Sequence, residues 1–200
     1  MSQYGVLPSR MTLTLYKGRA VGAKKGYDLL KKKSDALKKA FRAILSKIVE
    51  SKVRMGLDYK EALIGMAEAN FAAGDFSRAV VDHVKTKTPV RLTVHSDNVA
   101  GVHLPLFSLK GTDETSEDSN LLGLSMGGQS IQTARDKFTK FLKILVTIAS
   151  LQTQFMTLDE ALKMTNLRGD ALMFVVIPRI TEIIDYIKQE LDEIDREDFV

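Results

Sequence analysis

Apolar and small side chains recur along the first third of the chain in alternating steps of three and four: Leu13, Tyr16, Ala20, Ala23, Tyr27, Leu30, Ser34, Leu37, Phe41, Ile44, Ile48, Ser51, Met55, Asp58, Ala62, Met66 and Ala69. The positions between are largely Lys, Arg, Glu and Asp. A mean step of 3.5 residues is the seam of a coiled coil. No proline interrupts the run from about Ser9 to Gly74. At 1.5 Å per residue, about 65 helical residues extend roughly 100 Å. Helices of globular domains are far shorter, so the seam calls for a second helix to cover it.

That helix lies in the same chain. From about Gly128 to Phe199 the steps recur: Ile131, Ala134, Phe138, Phe141, Leu145, Ile148, Gln152, Phe155, Leu158, Leu162, Thr165, Gly169, Leu172, Val176, Ile180, Ile183, Ile187, Leu191 and Ile194. Adjacent steps of four near Val176 and Ile180 predict a local change of winding, and Pro178 removes a helical hydrogen bond and bends the helix there. The predicted fold is mainly α: a long antiparallel two-helix coiled coil with a small β-hairpin inserted between the helices. Residues 9–76 form the first helix, 77–127 the connecting region and 128–199 the second helix.

The start and end signals agree. Pro8-Ser9 opens the first helix with Ser9 as N-cap, and Gly74-Asp75-Phe76 ends it. From Lys85 the period falls to two, with Val90, Leu92 and Val94 alternating with Arg91 and Thr93. Val99, Val102, Leu104 and Leu106 follow a polar turn placed at Ser96-Asp97-Asn98, a hairpin with Pro89 and Pro105 at its edges. The stretch 110–120 is polar, acidic and expected to be mobile. Gly18, Gly22 and Gly26 repeat on one face of the first helix at about 1 kcal/mol each against Ala, marking either close approach of another backbone or a frayed end.

Composition narrows the class. With 27% charged residues, 7% aromatic and no Trp, the chain suits a coiled coil better than a sandwich or barrel. It has no cysteine, hence no disulfide frame or thiolate metal site. The N-terminus lacks the apolar core of a secretory signal. No apolar run reaches about 18 residues, so no membrane span is expected. The net charge of +4 conceals a polarity. Residues 10–60 hold 15 Lys+Arg against 4 Asp+Glu, net +11, and residues 181–200 hold 2 against 8, net −6. Antiparallel pairing sets these blocks side by side. Such pairs are individually weak, but opposed blocks select an orientation.

Candidate chemistry is sparse. Gly127-Gly128 is followed by Gln129-Ser130 without the lysine of a phosphate-cradling loop, so no cofactor is expected. The histidines are His83, His95 and His103. A meeting of His95 and His103 across the hairpin would supply two metal ligands where a site wants three or four. Asp159 and Glu160 are neighbours on a helix and diverge by about 100°, which does not make an acid/base pair. Gln152, Thr153 and Gln154 around Phe155 interrupt the seam with polar groups, read as register-fixing, with partner binding the alternative. The basic run Lys31, Lys32, Lys33, Lys38 and Lys39 is open to three readings: a solvated face, a docking face for an acidic protein, or a nucleic-acid contact. No interleaved aromatics offer a stacking surface for bases.

Seven short motifs carry a family resemblance. Pro8-Ser9-Arg10-Met11, LLKKKSDAL from Leu29, Ala72-Ala73-Gly74-Asp75-Phe76, DNVAGV from Asp97, Leu151-Gln152-Thr153, TLDEA from Thr157 and Ile177-Pro178-Arg179-Ile180 fall in one order over nearly the whole chain. In that order and spacing the chain resembles the D-subunit family of V-type proton-pumping ATPases. The resemblance implies a non-catalytic central axle of a rotary motor on the cytoplasmic face of a membrane. Its partners would be the ATP-hydrolysing A and B subunits, the small F subunit of the central stalk and the subunit capping the membrane ring, with no small-molecule ligand and no nucleic acid. Candidate partner contacts are Lys31, Lys32, Lys33, Lys38 and Lys39 on the first helix and Asp97, Asn98, Val99 and Gly101 on the hairpin. The family usually has Arg where Leu167 stands and Val where Gly169 stands, and it continues with a basic tail where this sequence ends at Asp198-Phe199-Val200. Alternatives outside the family are a coiled-coil scaffold without a motor role and a nucleic-acid-binding coil.

Overall fold

A computed structural model describes residues 5–82, 90–111 and 127–197. Along the chain come α1 (Arg10–Ala73), α2 (Ser77–Asp82), β1 (Arg91–Val99), β2 (Val102–Lys110), α3 (Gly128–Ala171), a π-helical turn (Leu172–Val176) and α4 (Ile177–Glu197). The mainly α class with a two-stranded antiparallel sheet between long helices is as predicted. The expectations for His83, Pro89, the acidic stretch from 112 and the end at 198–200 lie outside the described residues. The chain divides into two compact units, one of Met1–Lys39 with Asp159–Val200 and one of Ala40–Leu158.

α1 is bounded as its sequence dictates. The Ser9 hydroxyl accepts the Thr12 backbone N–H at 3.2 Å while the Thr12 hydroxyl accepts that of Ser9 at 3.0 Å. This reciprocal cap satisfies two donors at the helix start. At the far end Gly74, at φ 72°, donates its N–H to Asn70 at 3.0 Å, a left-handed cap that glycine reaches without a Cβ clash. All the seam positions from Leu13 to Ala69 are buried or half-buried, and between them only Gly26, Ala40 and Gly65 depart from full exposure. Asp75 opens α2 with an Asx-turn to the Ser77 N–H at 3.1 Å. Hydrogen bonding from Ser77, through its hydroxyl first and its backbone second, holds the Asp75 carboxyl below its ordinary pKa.

In the first unit the α1 segment meets the second helical run antiparallel. Arg10 Nη2 lies 3.4 Å from Asp195 Oδ1, a Cβ on Gly26 would stand 3.9 Å from Leu172, and the Ser34 hydroxyl donates to Asn166 Oδ1 at 2.7 Å. Leu37, Ile183, Ile184 and Ile187 form the buried core. Ser34 is buried as well, with its hydroxyl satisfied, a polar pair that ties one register to the apolar layer. The predicted change of winding appears as the π-helical turn, where Ile177 donates its N–H to Leu172, five residues back. Pro178 is the cause: its missing N–H and its ring disfavour an ordinary turn onto Phe174, and a widened turn re-phases the helix.

The second unit is paired in the same sense. Phe41 stacks on Phe155 with ring centroids 4.5 Å apart, and Tyr59 packs on Phe141 at 5.3 Å. Ala62, Ala69 and Ala134 are buried, and a Cβ on Gly65 would come within 3.6 Å of the Ala134 Cα. Small residues on both helices let the backbones approach there. The α3 seam departs from prediction at Leu145 and Gln152, which are exposed, while Ser150 and Gln154 are buried instead. The reason is a second buried face: α3 covers α1 on one side and the hairpin on another. In the first unit Val176, within the π-helical turn, and Ile194, near the end of α4, are also exposed.

One helical run, Gly128–Glu197, contains an 18-residue window long and apolar enough to match a membrane span by length and composition. Within the run, the aromatic residues Phe141 and Phe155 are engaged by α1, and Ser150 and Gln154 by the hairpin.

Gly127, the residue before α3, has φ 72°, and a Cβ there would lie 2.8 Å from the Ala73 Cβ and 3.1 Å from the Ala73 Cα. Gly127→Ala is therefore expected to destabilise by about 2–4 kcal/mol, combining a left-handed backbone with overpacking. A Cβ on Gly18 meets nothing within 4 Å, so Gly18→Ala should stabilise by up to about 1 kcal/mol. Urea unfolding of both variants reads the contrast; equal shifts would contradict the packing described.

Candidate functional site

The hairpin is held on α3 by side chains that bond outward backbone groups of β2. Val99 pairs with Val102 around a two-residue turn, and the register continues without a bulge to Arg91 with Lys110. In such a hairpin alternate residues aim their N–H and C=O groups away from the partner strand. On β2 these include Pro105 and Phe107. The Phe107 N–H donates to Ser150 Oγ at 3.2 Å, Ser150 Oγ donates to the Pro105 carbonyl at 3.3 Å, and Gln154 Nε2 donates to the same carbonyl at 3.0 Å. Pro105 costs nothing here because its absent N–H belongs to the outward set. Leu104, next to Pro105 on β2, is buried.

The turn is not where the sequence places it. Ser96, Asp97 and Asn98 lie within β1, and the chain reverses at Ala100-Gly101, with φ of 51° and 78°. Two residues with positive φ match the twist of the paired strands. The polar residues brace the turn from its flank: Asn98 Oδ1 accepts the Gly101 N–H at 3.1 Å, and Asp97 Oδ1 accepts the Asn98 N–H at 2.9 Å. Asp97, Asn98, Val99 and Gly101 therefore cluster at one tip, exposed except for half-buried Val99. The register pairs His95 with Leu106 and His103 with Asn98, which puts the two histidines on opposite faces rather than together.

Lys31, Lys32, Lys33, Lys38 and Lys39 belong to the other unit and are all exposed, flanking buried Ser34 and Leu37. Lys38 lies a loose 4.0 Å from Asp35. The opposed charge blocks meet in the Arg10–Asp195 pair, exposed on both sides and correspondingly weak. Asp159 is engaged by Lys163 at 2.6 Å, and that hydrogen bond and charge raise the lysine pKa. A shallow cleft of about 310 Å³ in the second unit is lined by Lys47, Glu50, Ser51, Arg54, Thr147 and Leu151, groups of both signs. Among the described residues no three metal-ligating side chains converge.

The seam pattern does not reveal the outer face of α1. Val49, Val53, Leu57, Ile64 and Phe71 recur at four and seven residues on the side away from the seam, with Val53 65% and Phe71 95% exposed. These large exposed apolar side chains share one outer side of the helix. The spacing is present in the sequence, hidden behind the stronger seam. Ser150 and Gln154 are likewise readable there: four residues apart, they share a helix face off the seam.

Sequence similarity agrees with this geometry. The family model for the D subunit of ATP synthase matches residues 12–200. The chain belongs to the ATP synthase D-subunit family. It is 50% identical over 194 residues to the V-type proton ATPase D subunit of Suberites domuncula, covering 97% of this chain and 76% of the relative. The Caenorhabditis elegans V-type proton ATPase D subunit is 48% identical over 97% of this chain and 74% of its own length. That of Dictyostelium discoideum is 44% identical over 99% and 77%. Membership makes the chain a subunit of a V-type ATPase, a membrane-associated assembly. Against the family pattern, Leu167 is 63% exposed, and a Cβ on Gly169 meets nothing within 4 Å, so nothing in the structure explains either residue.

Ser150→Ala leaves the Phe107 N–H without its acceptor and should cost about 1–3 kcal/mol, more than Gln154→Ala, after which Ser150 still serves the Pro105 carbonyl. Amide exchange at Phe107 should accelerate in Ser150→Ala while the amides of α1 keep their protection. Uniform loss of protection in both places would contradict a locally anchored hairpin.

Proposed function

We propose that this chain is the non-catalytic central axle of its V-type ATPase, transmitting torque between the ATP-hydrolysing A and B subunits and the proton-carrying membrane ring. The observation that carries the reading is the seam that runs along α1, a helix of 64 residues, in a member of the D-subunit family. A torque-bearing element must resist unwinding, and paired helices sealed by interlocking side chains do so. The remaining partners are the small F subunit and the ring-capping subunit, on the cytoplasmic face of the membrane. The outward apolar stripe and the hairpin tip support contacts of this kind.

The exposed lysines give the axle a bearing surface. A turning element needs contacts that break at every step, and exposed charge pairs are weak, non-specific and screened by salt. Lys31, Lys32, Lys33, Lys38 and Lys39 thus face acidic surface on the A and B subunits. Replacing all five with glutamine in the reassembled complex should lower ATP-driven proton pumping several-fold while ATP hydrolysis persists. Pumping equal to the unaltered complex would refute the bearing.

A further inference from the structure

The hairpin is anchored along one edge and open along the other. On the outer edge of β2 the Phe107 N–H and the Pro105 carbonyl are taken up by Ser150 and Gln154. On β1 the register turns the backbone groups of Leu92, Val94, Ser96 and Asn98 outward. The Asn98 N–H is taken by Asp97. The outward groups of Leu92, Val94 and Ser96 meet no hydrogen-bond partner among the described residues, and all three residues are exposed, Val94 by 61%.

Strand edges of this length are normally blunted by proline, a bulge or a charge on the exposed edge. β1 has nine residues, no proline and a continuous register, and its outward positions carry Leu, Val, Ser and Asn. Leu92 and Val94 stand opposite Leu109 and Phe107, which are half-buried, so one face of the hairpin is apolar up to the open edge. Charge marks the ends: Arg91 and Lys110 pair at one, and Asp97 lies near the other.

We propose that β1 receives an extended segment of another protein subunit of the V-type ATPase, adding a third strand to the hairpin. The backbone dictates a strand, since a helix has no free N–H and C=O groups to offer along its side. The added strand places apolar residues at alternate positions beside Leu92 and Val94, an acidic residue toward Arg91 and a basic residue toward Asp97. Its identity as a different subunit follows from size. A few paired residues bury well under the roughly 1,200 Å² of a stable interface, so this contact does not sustain a free-standing dimer and needs a partner already held nearby.

Hydrogen exchange on the assembled complex and on the isolated chain tests this without depending on the axle reading. The Leu92, Val94 and Ser96 amides should exchange at least about tenfold more slowly in the complex, as expected for newly bonded amides. Val94→Pro removes an outward N–H and leaves the β1–β2 ladder intact, so in that complex Leu92 and Ser96 should return to the isolated-chain rate. Protection of Thr93 and His95 reports that the hairpin itself persists. Equal rates in the complex and the isolated chain would overturn the proposal. So would protection in the isolated chain that grows with its concentration, which would assign the edge to a second copy.

Discussion

The antiparallel pairing of α1 with the later helical run is the constraint on which the other features depend. Helix formation over 64 residues is not secured by propensity alone, since α1 carries several glycines in its interior and each weakens it. Burial of one stripe against a partner supplies the stability. In the first unit Leu37 and Ile187 are fully buried, and the Ser34–Asn166 hydrogen bond ties the two helical segments. In the second, Phe41 stacks on Phe155 and the small residues Ala62, Gly65 and Ala134 allow closer approach. The same rule thus operates in both units with different materials: a polar tie within an aliphatic layer in one, aromatic stacking and close backbones in the other.

The pairing also decides what remains outside. With the seam covered, the lysines of one unit and the stripe from Val49 to Phe71 of the other stay exposed on the described chain. α3 carries an extra burden, because it covers both α1 and the hairpin. Ser150 and Gln154 are buried for that reason, and their hydroxyl and amide bond the outer edge of β2 at Pro105 and Phe107. An element fixed along one edge by a helix and left open along the other is suited to reach outward without loosening the pair that holds it.

Much of this is legible in the sequence. The α1 seam can be read residue by residue, because a single buried face against a single partner yields a clean 3.5-residue step. α3 reads less well for a physical reason: with two buried faces, Leu145 and Gln152 fall outside a one-stripe pattern. Adjacent steps of four announce the winding change near Pro178, although its form as a π-helical turn depends on how the carbonyls re-pair. The strands follow from alternation, but the turn does not. Polarity points to Ser96-Asp97-Asn98, whereas backbone twist selects Ala100-Gly101, and the polar residues act as its braces. The basic run is equally visible as charge, yet charge alone does not choose among solvent, protein and nucleic acid.

The most direct test of the antiparallel register uses the absence of native cysteine. With Ser34→Cys and Asn166→Cys in one chain, at positions whose side chains are 2.7 Å apart in their native pairing, mild oxidation should produce a near-complete intramolecular disulfide. Ser34→Cys with Gln152→Cys should remain reduced under the same conditions. A disulfide in the second pair, or none in the first while the protein stays folded, would contradict the register and with it the seam that organises the structure.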